Sequence, residues 1–150
     1  MKRVECQSLD EVGKLARAFL GTLVSREDGA TLVILKGDLG AGKTAFVKET
    51  ARLLGITEHV TSPTFVIEKR YTLPSGLLPT TSYFRSLVHI DAYRMESAHE
   101  LEVLGWQELL KEPKTLVMVE WPERVAESIP EGAHVIECEF VNETTRAFTL

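Results

Sequence analysis

Apolar positions in this chain follow two periods, and an element begins or ends where the period changes. Val12, Leu15, Ala16 and Phe19 recur at i, i+3, i+4 and i+7, the stripe of an amphipathic helix. Ser8-Leu9-Asp10-Glu11 stands just before it, with Ser8 and Glu11 spaced as a capping box, so the helix is expected to start there. Residues 1–7 read as a short strand. Asp28-Gly29 is a turn, and Thr31-Leu32-Val33-Ile34-Leu35, β-branched and aliphatic, is a strand. The helical period returns over residues 43–54, with Phe46, Val47, Ala51 and Leu54 on the buried side and Gly55 placed to end the helix. Residues 65–73 alternate. Phe65, Ile67 and Tyr71 take one face and Glu68, Arg70 and Thr72 the other, which predicts a strand with one wet side.

The second half continues the alternation of strands and helices. Residues 74–82 hold two prolines and a glycine and predict a long loop or hairpin tip. Residues 84–90 predict a strand, and 97–110 a helix broken at Gly105. Thr115-Leu116-Val117-Met118-Val119 is apolar on both faces and predicts a buried strand. Pro122 suits the first position of a new helix ending near Pro130. Residues 135–140 and 145–150 predict a hairpin turning at Asn142-Glu143. There is no internal repeat and no linker, so residues 1–150 read as one α/β domain.

Between the second strand and second helix lies Gly37-Asp38-Leu39-Gly40-Ala41-Gly42-Lys43-Thr44, the pattern G-x-x-x-x-G-K-[ST] of a phosphate-binding loop. Its glycines let the backbone turn sharply and aim successive N–H groups into one concavity. The helix after it adds unpaired N-terminal donors and the positive end of its dipole. Lys43 can then reach the β- and γ-phosphates, and the Thr44 hydroxyl can ligate Mg²⁺.

Such a loop needs an acid on a neighbouring strand to help hold the metal. Glu120, at the end of the buried 115–119 run, stands where a Walker-B acid belongs, although Asp is the commoner residue there. Asp91 ends another strand in His89-Ile90-Asp91-Ala92-Tyr93-Arg94, where His89, Asp91 and Tyr93 share a face. It can orient an attacking water near the γ-phosphate, or merely cap the next helix, and spacing alone does not decide. His89 reads as a packed or hydrogen-bonded histidine rather than a ligand, and Arg94 either steadies phosphate charge or is solvated or surface-paired. Thr64, in the hydroxyl-rich Thr61-Ser62-Pro63-Thr64 turn, is either a γ-phosphate sensor or part of a plain Ser-Pro turn. Trp121 is either a core anchor or a surface contact.

Composition narrows the function. A formal charge of −5 argues against a broad nonspecific grip on nucleic acid. Cys6 and Cys138, far apart and in no metal-ligand spacing, read as free thiols in a reducing compartment. Met1-Lys2-Arg3-Val4-Glu5-Cys6 has no apolar h-region and no apolar run approaches membrane-spanning length, so the expected location is the cytoplasm, without membrane association. The guanine-reading Asn/Thr-Lys-x-Asp is absent, since Asn142 is the only asparagine and no Lys after a Thr is followed two residues later by Asp, which favours ATP.

The phosphate loop at 37–44, Thr61-Ser62-Pro63-Thr64-Phe65, His89-Ile90-Asp91-Ala92-Tyr93-Arg94 and Val119-Glu120-Trp121-Pro122 occur in the order and spacing of the TsaE family, which the chain resembles over most of its length. Glu100-Leu101-Glu102-Val103-Leu104-Gly105 also looks like the family's segment after the His-x-Asp block. The resemblance implies a three-layer P-loop domain with a mixed, largely parallel sheet and a C-terminal hairpin. It implies Mg²⁺-dependent ATP hydrolysis serving formation of N6-threonylcarbamoyladenosine in tRNA, with TsaD and TsaB as partners and tRNA met only through their complex. By matching position, Thr44 and Glu120 would hold Mg²⁺, Asp91 would act near the γ-phosphate with Lys43, and Thr64 would lie in a switch-like segment. Ser8 would fall near the nucleotide base. The 71–84 stretch is longer than the family's usual hairpin, and Ala45 replaces a second hydroxyl often found after the loop threonine. Two alternatives use the same loop: a small-molecule kinase, for which the scattered Arg70, Arg85, Arg94 and Arg124 make a poor lid, and a non-hydrolysing, nucleotide-gated binding module.

Overall fold

A computed structural model describes residues 1–58, 60, 67–74 and 83–150, and among these a mixed seven-stranded sheet carries helices on both faces. In chain order the elements are β1 (Arg3–Cys6), α1 (Leu9–Leu20), β2 (Thr31–Lys36), α2 (Lys43–Leu53), β3 (Glu68–Thr72) and β4 (Ser86–Asp91). They continue with α3 (Ala98–Val103), α4 (Trp106–Leu110), β5 (Thr115–Glu120), a 3₁₀ helix (Pro122–Ser128), β6 (His134–Phe140) and β7 (Arg146–Thr149). The strand order is β1-β7-β6-β2-β5-β4-β3. The four middle strands, β6, β2, β5 and β4, run parallel, and the outer pairings are antiparallel.

Strand alternation divides the core in two. Val33 and Leu35 of β2, Leu116 and Met118 of β5, and Ile136 and Cys138 of β6 face α1 and α2. There Phe46 stacks edge-on against Phe19 at 5.9 Å and tilted against Phe148 at 5.5 Å, joining α2 to α1 and β7. Leu32, Ile34, Val88, Ile90, Val117 and Val119 face the opposite way, onto Leu101, Trp106, Leu109 and Val125. Central β5 is buried along its whole length, as its unbroken apolar run requires.

Helix ends follow the local chemistry. The Ser8 hydroxyl accepts the Glu11 N–H at 3.2 Å and so caps α1. The Glu11 carboxylate reaches back to the Gln7 N–H at 2.6 Å rather than to that of Ser8, one residue beyond the reciprocal bond of the expected box. Gly105, in the left-handed region at φ 83°, separates α3 from α4. The β6–β7 hairpin closes through Asn142 and Thr145, which exchange backbone bonds at 3.2 Å.

Three expectations change. The segment after Trp121 is a 3₁₀ helix interrupted at Val125 (φ −132°), because the Val125 side chain is drawn fully into the core against α3 and α4. Ile67 does not share a face with Tyr71. Its φ of 69° takes it out of the strand, and it packs on the α3/α4 side while Tyr71 packs under α1 and α2. The fourth strand begins at Ser86 rather than at residue 84 and extends to Asp91. The long loop lies largely outside the described residues, as do Thr61 to Phe65, Thr64 included.

Candidate functional site

Parallel register brings the chemistry together. Leu35 of β2 pairs with Glu120 of β5, and Glu120 pairs with Asp91 of β4. Neighbouring strands lie about 4.8 Å apart, so two carboxylates and the exit of β2 stand in one row at the carboxyl edge of the sheet. In open α/β sheets this edge is where ligands bind. The loop 37–42 leaves β2 at this row, and α2 starts from Gly42, which adopts φ 101°.

The opening of the loop is held to the sheet. Gly37 has φ 144°, and a Cβ there would stand 2.2 Å from the Cys138 carbonyl oxygen. Only glycine fits where the loop passes so near β6. From the other side the Arg146 guanidinium donates Nε to the Gly40 carbonyl at 2.6 Å and Nη1 to the Asn142 carbonyl at 2.7 Å. Arg146 thus ties the 37–42 loop to the hairpin turn. Nothing in the local sequence marks it, because its partner lies 106 residues away.

Lys43 is buried, and its ammonium donates to the Gly37 carbonyl and to that of Asp38 at 2.8 Å. The same ammonium lies 4.1 Å from the centroid of Trp121. Trp121 in turn stacks on Tyr93 at 4.9 Å. It takes a left-handed backbone (φ 58°, ψ 50°), a conformation costly for a bulky residue. That turn aims the indole over Lys43. Trp121 is half-buried and forms part of the cleft wall, so neither the core-anchor nor the surface reading describes it alone.

The Thr44 hydroxyl donates to Glu120 Oε1 at 2.8 Å and stands 3.2 Å from Oε2. Asp91 is buried beside Glu120 in register, and its Oδ1 accepts the Tyr93 N–H at 3.0 Å. Asp91 therefore does cap the turn after its strand, while also lining the cleft. His89, fully buried, has Nε2 3.3 Å from Glu120 Oε1, yet among the described residues neither ring nitrogen has a hydrogen-bond partner of acceptable geometry. Arg94 is exposed and is not part of the cleft wall.

These groups line a cleft of about 570 Å³. Ser8, Leu9 and Val12 at the start of α1 form one side, Leu39 to Ala45 the floor, and Asp91, Tyr93, Glu120 and Trp121 the other side. Glu143, Thr144 and Arg146 close the end by the hairpin. Leu39 is well exposed at the apex of the loop. Beneath the floor, burial pushes the Cys138 thiol up to about 12; Glu120 adds to the rise and Lys43 opposes it. Cys138 and Cys6 are both buried free thiols.

The donor set suits a hard cation shared with a ligand. One hydroxyl and one carboxylate, on separate elements and already bonded to each other, offer the one or two protein oxygens that Mg²⁺ accepts beside phosphate and water. Among the described residues, no group of three or more His, Cys, Asp and Glu side chains forms a metal cage.

Comparison with known proteins gives this geometry its family. The family model for threonylcarbamoyl adenosine biosynthesis protein TsaE matches residues 6–148. The chain belongs to the TsaE family. Among its relatives is the tRNA threonylcarbamoyladenosine biosynthesis protein TsaE of Treponema pallidum, 39% identical over 132 residues that make up 87% of this chain and 89% of that one. The TsaE of Rickettsia felis is 31% identical over 138 residues, 91% of this chain and 72% of that one. The TsaE of Bacillus subtilis is 44% identical over 100 residues, which span 67% of this chain but only 56% of the relative. The crystal structure of YdiB from B. subtilis superposes with a TM-score of 0.71 at 27% identity, covering 98% of this chain and 82% of that one. The fold is therefore the P-loop-like, three-layer α/β fold of this family. Among the described residues, no helix is long and apolar enough to cross a membrane.

Proposed function

We propose that this TsaE-family protein is a Mg²⁺-dependent ATPase of the cytoplasm. It would serve threonylcarbamoyladenosine formation in tRNA together with TsaD and TsaB, and would meet tRNA only through their complex. The observation that carries the reading is the Thr44–Glu120 hydrogen bond, 2.8 Å long, directly behind a phosphate-binding loop. The two buried free thiols suit a reducing compartment.

In this reading the loop N–H groups 37–44 hold the phosphates, and Lys43 leaves the Gly37 and Asp38 carbonyls to bind the terminal phosphate oxygens. Thr44 and Glu120 hold Mg²⁺, which when bound neutralises phosphate charge. Asp91, in line with Glu120 across the parallel register, orients the attacking water. Thr64 is assigned the sensing of the γ-phosphate on sequence grounds. Ser8, on the cleft wall near the proposed base position, caps α1 and so fixes that wall. The kinase reading is weakened because Arg70, one of its few lid candidates, is engaged by Glu112 through two bonds of 2.6 and 2.9 Å.

The test is phosphate release from ATP by the full chain, alone and with the TsaB–TsaD pair, alongside tRNA threonylcarbamoyladenosine levels in cells depleted of the protein. Stimulated release and loss of the modified nucleoside are expected. Unchanged nucleoside levels would contradict the pathway role; label from γ-phosphate appearing on a metabolite would favour a kinase.

A further inference from the structure

We infer that His89 is a positioning residue for Glu120, holding its carboxylate in the orientation that receives Mg²⁺; this rests on the metal role proposed above for Glu120. His89 lies two residues before Asp91 on β4, on the face of the sheet that bears Glu120. The imidazole is fully buried, on the same face of β4 as Leu87 and in register with Met118, both of which belong to the α1/α2 core. A buried nitrogen without a partner costs about 1–3 kcal/mol, and an apolar side chain here would avoid that cost. Glu120 Oε1 lies 3.3 Å from the His89 Nε2.

The carboxylate is turned toward Thr44, whose hydroxyl lies 2.8 Å from Oε1 and 3.2 Å from Oε2. In that orientation Oε1 is within reach of His89 but out of line with it. The terminal torsion of a glutamate is broad and roughly two-fold, so a modest rotation costs little. Once the Thr44 hydroxyl oxygen is turned to a cation, one Glu120 oxygen can face the same cation while Oε1 swings onto Nε2–H. His89 then gains the bond it lacks, and Glu120 loses a rotational freedom that would otherwise weaken metal binding. Ligating carboxylates are commonly fixed in this way, and removal of the outer partner typically costs about 10–100-fold in metal affinity.

The experiment measures dissociation constants of the β,γ-imido analogue of ATP with Mg²⁺ and with EDTA, for wild type, His89→Leu and His89→Gln. Thermal unfolding identifies the folded variants. The readout is the gain in affinity that Mg²⁺ confers. His89→Leu is expected to lose about 10-fold or more of that gain, with affinity in EDTA unchanged. His89→Gln, whose amide can still donate, is expected to keep most of the gain. If leucine prevents folding, His89→Asn replaces it, because its amide is too short to reach Glu120. An undiminished gain in the Leu or Asn variant overturns the assignment, as does an equal loss of affinity with and without Mg²⁺. A wild type with no Mg²⁺ gain at all would instead overturn the metal role of Thr44 and Glu120.

Discussion

At the scale of single residues, the cleft is built by close approaches that tolerate little change. Gly37 and Gly40 both have positive φ, 144° and 78°, yet their surroundings differ. A Cβ at Gly40 meets nothing within 4 Å, whereas one at Gly37 runs into the Cys138 carbonyl oxygen. That oxygen is backbone, just beyond the Lys36–Glu137 pairing of β2 with β6, and moves only with the sheet. Gly40→Ala should therefore cost only the left-handed backbone, about 1–2 kcal/mol. Gly37→Ala should add overpacking and cost about 3 kcal/mol or more. Urea unfolding of the two variants checks the difference, and equal losses would show that the Gly37–Cys138 approach relaxes freely. The glycine pattern was visible in the sequence, but this inequality was not, because it is set by a strand a hundred residues downstream. Arg146 and the Trp121–Lys43 stack were hidden for the same reason: each depends on which strands are neighbours, and local spacing carries none of that. Thr44 and Glu120 were legible because a motif and a buried run each fix a strand end, and two strand ends in register meet.

At the scale of elements, α2 is where site and core share one support. Its first residues, Lys43 and Thr44, carry the polar chemistry, and one turn later Phe46 sits wholly buried between Phe19 and Phe148. Phe46→Ala should lower stability by about 3–5 kcal/mol, as a buried aromatic truncation. Because the aromatic stack ties α2 to α1 and β7, the variant should also loosen the loop that Arg146 holds from β7. Denaturant unfolding gives the stability loss, and faster amide hydrogen exchange at 40–44 would report the loosening; native exchange rates there would deny the coupling. Periodicity marked α1, α2 and the buried strands because their apolar patterns are long and their caps local. It failed at Ile67 and after Trp121 for a tertiary reason. Ile67 and Val125 are pulled toward the α3/α4 core, and the backbone bends to deliver them. Sequence marks Pro122 as a helix start but cannot say that Val125 will interrupt the helix three residues later.

At the scale of the whole molecule, one sheet edge does the collecting. Three parallel strands, β2, β5 and β4, end in register, and each delivers one component: the loop, Glu120 and Asp91. The antiparallel β6–β7 hairpin and the start of α1 enclose the opposite side. The net charge of −5 argues against an extended nucleic-acid surface, and within this cleft Asp91, Glu120 and Glu143 offset Lys43 and Arg146, so a single polyphosphate would be held by the directed loop amides, Lys43 and its own cation rather than by a basic surface. The central claim is that a triphosphate and its cation are held together between Thr44 and Glu120. Its most direct test is a crystal structure of the protein with the β,γ-imido analogue of ATP and Mn²⁺, located by anomalous scattering. The expected result is a Mn²⁺ peak bonded to Thr44 Oγ1 and to phosphate oxygens, with Glu120 reaching it directly or through one water. A nucleotide bound elsewhere, or a Mn²⁺ peak beyond the reach of both Thr44 and Glu120, would contradict it.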